Sequence, residues 1–187
     1  KFYNNDSTRE IGVDDVGKWP LIGPVYAAAV ILPKFNENFI YKDIKDSKKF
    51  SSHKKLTEVA NYIKENCIEY SIGYCDELEI DKINIRNATF KAMHMAISNL
   101  KILSYKENKE FLIMVDGNSF KPYTYLTDNN MFSEINHICI EKGDNKYYSI
   151  AAASILAKVE RDNYIFDLCL KYPQLEEYYD VKKNKGY

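Results

Sequence analysis

Four carboxylates in this sequence stand at the ends of apolar runs. Asp14 and Asp15 close a run that begins at Ile11, Asp116 follows Phe111–Val115, and Asp144 follows His137–Glu141 after a Lys-Gly step. Taken singly, Asp144 reads as a helix N-cap and Asp116 as a turn residue before Gly117-Asn118. Asp14 is harder to explain that way, because it directly follows Val13 in a buried run and has a second acid beside it. Carboxylates gathered at one edge cannot all stay ionised without countercharge, since each raises its neighbours' pKa values. Lysine could supply that charge, and so could a divalent cation. All-oxygen donors suit Mg²⁺ or Mn²⁺. Two such ions about 4 Å apart would support in-line attack of water on a phosphodiester.

The surrounding pattern supplies elements that could bring these acids together. Ile11–Asp14 and Val25–Leu32 read as buried strands, joined by a link holding Gly17, Pro20, Gly23 and Pro24. That link is too short and broken for a helix, so the two strands are expected to pair antiparallel. Ser51 or Ser52 can cap a helix that carries Leu56, Val59, Ala60 and Ile63. Ile68, Tyr70, Ile72 and Tyr74 alternate as one face of a third strand. Residues 76–83 form a short helix or turn, and a longer helix is expected over 84–103. Phe111–Val115 and His137–Glu141 are the fourth and fifth strands, with a polar, Tyr-rich loop between them. A long helix over Tyr148–Leu170 opens on a small-residue run, and its alanines would let it lie close to the sheet. A polar tail ends in KKNKGY. In open α/β sheets, sites form beyond the carboxyl ends of parallel strands, where acids distant in sequence can meet.

Bulk properties restrict the reading without directing it. The 187 residues suffice for one domain with a real core. With 26 basic against 27 acidic residues, nucleic-acid binding would have to come from local basic patches. Cys67, Cys75, Cys139 and Cys169 are scattered and form no CxxC, as expected of reduced core residues in a cytosolic or nuclear protein. No apolar run reaches membrane-spanning length, and no signal-peptide pattern opens the sequence. No Ser/His/Asp or Cys/His set and no P-loop stands out.

The pieces GVDDVGKWPLIGPVYAAAVIL, DSKKFS, VDGN, KGDNKYYSIAAASILAKVERD and YP…NKGY, in this order, resemble the type 2 ribonucleases H. The likeness runs along nearly the whole chain, and AAASILAKVERD is nearer the ribonuclease HII branch than HIII. It implies a ribonuclease H-like α/β fold, with a central mixed five-stranded sheet flanked by helices. Residues 1–187 would form a single catalytic domain, any C-terminal extension beyond KGY being short or absent from this chain. It implies cleavage of RNA paired with DNA, incision at ribonucleotides embedded in DNA, and a two-metal Mg²⁺ or Mn²⁺ site. Asp14, Asp116 and Asp144 match three of the family's four acids, and Asp15 stands where the family usually has Glu. Asp162 is not carried over as a ligand and is expected to pair with lysine or arginine on its helix.

The resemblance also implies substrate contacts. Family members read the RNA–DNA junction with a Gly-Arg-Gly loop and the Tyr of KGY. Here these become Gly17, Lys18 and Trp19, and Tyr187. Lys keeps the charge but loses the planar fork of Arg, and Trp19 either stacks on the substrate or plugs the core. Lys48 and Lys49 are expected near the backbone phosphates, with Asn118, Lys142 and Lys158 as further contacts. His53, His94 and His137 match nothing catalytic and read as surface or helix-face residues. The expected enzyme is a cytoplasmic monomer, nuclear if the source is eukaryotic, with accessory subunits possible in that case.

Two alternatives stand beside this. A phosphoacceptor receiver domain also has an acidic pair after its first strand, but that strand leads into a helix and the domain is shorter. A hybrid-binding member with weakened or lost catalysis is suggested by Asp15, whose carboxylate is one methylene shorter than that of Glu.

Overall fold

A computed structural model describes residues 1–18, 22–101, 111–127 and 130–184. Five strands form one mixed sheet: β1 (Arg9–Val16), β2 (Val25–Ile31), β3 (Glu69–Cys75), β4 (Phe111–Asp116) and β7 (His137–Ile140). Their spatial order is β3-β2-β1-β4-β7. As the short Pro/Gly link requires, β1 and β2 are antiparallel, with Asp14 opposite Ala28. β4 runs parallel to β1, with Val13 opposite Val115, and β7 runs parallel to β4, with Asp116 opposite Ile140. The carboxyl ends of β1, β4 and β7 therefore share one edge. β5 (Thr124–Leu126) and β6 (Phe132–Glu134) pair as a separate hairpin within the expected polar loop. Its residues are largely exposed and give no apolar alternation to read.

Helices cover both faces, which is why β1, β2 and β4 read as continuous apolar runs. On one face Ala28, Val30 and Leu32 pack with α1 (His53–Asn66) and α3 (Tyr148–Lys171). On the other, Ile11, Val13, Ala29, Ile113 and Val115 pack with α2 (Glu77–Ser98). The alanine run acts as its composition suggests, since Ala151–Ala153 are all buried. At Gly12 a Cβ would lie 2.0 Å from the Ser149 carbonyl carbon, so α3 crosses β1 at a distance only glycine permits.

Some boundaries differ from expectation. Ser52, not Ser51, caps α1 by accepting from the Lys55 N–H. The break between residues 83 and 84 is real: α2 is interrupted at Asn84 (φ 66°, ψ 161°), whose side chain accepts from the Asn87 N–H. The α-helix stops at Ser98, where Asn99 is the C-cap, while residues 102 and 103 of the expected helix lie outside the described residues. In β3 the small-residue face is the more buried one. Ser71 and Cys75 are enclosed, Tyr70 and Ile72 are partly buried, and Ile68 and Tyr74 are 45% and 52% exposed. β3 is an edge strand, at one end of the sheet order. Beyond Pro173 the tail forms a short helix, α4 (Gln174–Tyr179).

Candidate active site

Strand alternation separates the acidic pair. Successive side chains point to opposite faces, so Asp14 shares the α3 face with Gly12, and Asp15 the α2 face with Val13. Asp14 is buried, and its Oδ1 accepts from the Asp15 N–H at 2.8 Å. The Ser154 hydroxyl also donates to Asp14. Ser154 Oγ lies 3.0 Å from the buried Ser47 Oγ, so with its proton committed to Asp14 it accepts from Ser47. A chain of hydroxyls thus ties the DSKKF turn to Asp14. Burial pushes the Asp14 carboxyl well above the usual carboxylate range, and the charges of Asp116 and Asp15 push it further.

Asp15 has a side chain only 5% exposed and pairs with the Lys18 ammonium at 2.8 Å. Burial raises its pKa, against the opposing pull of Lys18 and, more weakly, Lys48. Asp116 closes β4, and its Oδ1 accepts from the Gly143 N–H at 2.6 Å, which fixes the end of β4 against the turn after β7. That turn is a 3₁₀ segment, Gly143–Asn145, entered through Lys142 in the left-handed region (φ 55°). Asp144 lies within it and is buried, with Asn145 Nδ2 donating to its Oδ1 at 3.0 Å. Burial, then Asp116 and Asp46, raise its pKa. Asp144 does not cap α3, whose N-cap position is Tyr147, with no side-chain bond.

Asp46 is a feature the sequence reasoning passed over. It opens the DSKKF turn, is buried, and accepts from the Lys48 N–H at 2.9 Å. Its Oδ2 accepts from Asn145 Nδ2 at 3.2 Å, and its charge is felt at Asp144. The DSKKFS motif contained the signal, but an Asp before Ser-Lys-Lys is indistinguishable from an ordinary turn cap until Asn145 is seen beside it. Arg161 is a second such residue. It is fully buried in α3 and donates to the Ile22 carbonyl at 3.0 Å, supporting the loop after β1.

Among the expected substrate contacts, Gly17 adopts φ +101°, and a Cβ there would meet Arg161 Nε at 2.8 Å and the Pro24 carbonyl at 2.9 Å. Glycine is therefore required by the protein's own packing as well as by any approach of substrate. Lys48 and Lys49 are exposed beside the acids, and Lys49 Nζ donates to Asn145 Oδ1. Lys18, Asp116 and Asn118 line a recess of about 290 Å³ together with Arg86 and Phe90 of α2. Lys142 is exposed. Trp19 and Tyr187 lie outside the described residues. Asp162 meets Lys158 at 4.0 Å, the pairing expected of it, and His53 Nδ1 at 3.4 Å. His53 is thus more than a surface residue: it joins α1 to α3 and sits edge-on to Phe166. His94 and His137 pack edge-on to Phe120.

Asp14, Asp15, Asp116 and Asp144 are thus electrostatically linked, with Asp116 acting on each of the other three. Among the described residues, no three acidic, histidine or cysteine side chains have already closed to a metal-holding group. The donor chemistry nevertheless fits a hard divalent cation. The donors are all oxygens, and three of the four acids carry raised pKa values that nearby positive charge would relieve.

Comparison with known proteins agrees with this architecture. The family model for Ribonuclease HII matches residues 11–187. The Ribonuclease HII of Parabacteroides distasonis is 43% identical over 178 residues, covering 95% of this chain and 78% of that one. The ribonuclease H2 of Pyrococcus horikoshii OT3 superposes with a TM-score of 0.70 at 25% identity, covering 95% of this chain and 90% of that one. Bst-RNase HIII, solved in complex with Mn²⁺, superposes with a TM-score of 0.68 at 21% identity, covering 88% and 55%, and at that identity speaks for the fold alone.

Proposed function

The chain belongs to the ribonuclease HII family and so is a type 2 ribonuclease H endonuclease; from that premise we propose that Asp14, Asp15, Asp116 and Asp144 form a two-metal site that hydrolyses the RNA strand of RNA–DNA hybrids. The observation that carries this is the meeting of acids from β1, β4 and the turn after β7, where the charge of Asp116 raises the proton affinity of Asp14, Asp15 and Asp144. The same site would incise DNA beside embedded ribonucleotides. We further read residues 1–187 as one catalytic domain acting as a cytoplasmic monomer. Among the described residues no helix is long and apolar enough to cross a membrane.

The four carboxylates would hold Mg²⁺ or Mn²⁺. The chemistry supplied by bound ions is activation of water and stabilisation of the departing oxygen. The chain's own groups do the positioning. Ser154 and the Asp15 N–H orient Asp14, and the Gly143 N–H orients Asp116. Asn145 bridges Asp46 and Asp144 and so holds the DSKKF turn against the site. Lys48, whose charge acts on both Asp15 and Asp144, is set to meet a backbone phosphate together with Lys49.

The test compares a labelled RNA–DNA hybrid with a DNA duplex carrying one ribonucleotide, each with Mg²⁺ and with Mn²⁺. The reading predicts cutting of both, slower on the lone ribonucleotide because Lys18 replaces the forked Arg. Binding of the hybrid without cutting in either metal would replace it with a hybrid-binding role.

A further inference from the structure

Lys18 does not stand free toward substrate. Its Nζ lies 2.8 Å from Asp15 Oδ1, its own side chain 45% exposed and that of Asp15 only 5%. Among the described residues, no such ion pair reaches Asp14, Asp116 or Asp144, which are held by hydroxyl, backbone and amide donors instead. One acid of the four thus carries a cation of the protein's own. We propose that Lys18 is a built-in competitor for the divalent ion at Asp15, which must displace the ammonium to take that oxygen.

The inference rests on the proposed metal site and follows from geometry. A carboxylate oxygen at hydrogen-bond distance from an ammonium cannot also stand about 2.1 Å from a divalent ion without forcing two cations close together. Asp15 is enclosed and cannot leave, whereas Lys18 is half-exposed on a flexible four-carbon stem. Room for it lies alongside, since Lys18 already lines the recess of about 290 Å³ that holds Asn118 and Asp116. Lys48 acts on Asp15 only as a weaker, more distant charge, so it supplies the contrast between a field and a contact. Two of the departures from the family pattern, Asp for Glu at Asp15 and Lys for Arg at Lys18, are the partners in this one ion pair.

The test is a Mn²⁺ titration of the full chain without nucleic acid, followed by calorimetry, for the unaltered protein and for Lys18→Met, Lys18→Arg and Lys48→Met. Lys18→Met should bind Mn²⁺ roughly tenfold more tightly, equivalent to about 1.4 kcal/mol. Lys18→Arg should stay near the unaltered protein, and Lys48→Met should gain less than Lys18→Met. Equal or weaker binding by Lys18→Met, or an equal gain in Lys48→Met or Lys18→Arg, overturns the competitor role and leaves the metal site standing. If neither the unaltered protein nor any variant binds Mn²⁺, the metal site falls and the competitor role falls with it. Melting curves for each variant establish that it is folded before titration.

Discussion

At the scale of single residues, the acids are set by their neighbours as much as by their own positions. Asp14 is held by one hydroxyl and one backbone N–H, and that hydroxyl is itself held by Ser47. Groups that orient a ligand typically account for about 10–100-fold in metal affinity or activity when removed. Ser154→Ala should therefore lower hybrid cleavage within that range while the melting temperature changes little, as steady-state kinetics and a melting curve would show. An unchanged rate would mean that the hydroxyl chain only fills space. The acids themselves were legible from sequence because a charge at the end of a buried run needs a reason. Asp46 and Ser154 were not, because one resembles a turn cap and the other an ordinary small residue in a helix. Their partners, Asn145 and Ser47, are 99 and 107 residues away, and no local pattern announces such a meeting.

At the scale of elements, the site depends on how closely α3 lies on β1. Gly12 sets that approach, and it stands two residues before Asp14 on the same face. Gly12→Ala would drive a methyl into the α3 backbone. Overpacking of this kind costs about 1–3 kcal/mol and more where backbone must move. Urea denaturation should show a loss of about 3 kcal/mol, with cleavage reduced even where the protein remains folded, because Ser154 moves with α3. The long helix, the antiparallel β1–β2 pair and the break at Asn84 could all be read in advance, since periodicity and turn chemistry are local signals. The buried face of β3 could not. Its alternation of Tyr and Ile against Ser, Gly and Cys marks a strand, but which face is enclosed depends on α2 lying over the small residues. The β5–β6 hairpin escaped for a related reason, its side chains being mostly turned to solvent.

At the scale of the whole molecule, a cluster of buried acids makes stability depend on pH and on cations. Asp14, Asp15 and Asp144 have folded-state pKa values above their ordinary ones. Between the ordinary and the raised value the folded protein binds more protons than the unfolded chain, so stability falls as pH rises through that window. Below the ordinary carboxylate value the stabilisation is fully present, and above the raised values it is gone. In metal-free buffer the melting temperature should therefore fall from acid toward neutral pH on account of these groups. Mg²⁺ or Mn²⁺ should restore it more at neutral pH than in acid. Asp14→Asn should flatten the dependence and melt higher than the unaltered protein in metal-free neutral buffer. A metal effect equal at both pH values would contradict this origin.

The central claim is that four acids from distant parts of the chain act as one hydrolytic site. The most direct test places the unaltered protein and Asp116→Asn on the same labelled RNA–DNA hybrid, in Mg²⁺ and then in Mn²⁺, measuring binding and cleavage together. Asp116 is the acid whose charge reaches the other three, and asparagine keeps its shape and its ability to accept from Gly143. The account predicts that Asp116→Asn binds the hybrid as the unaltered protein does and leaves the RNA strand intact in both metals. Cleavage by Asp116→Asn at a rate near that of the unaltered protein would contradict it.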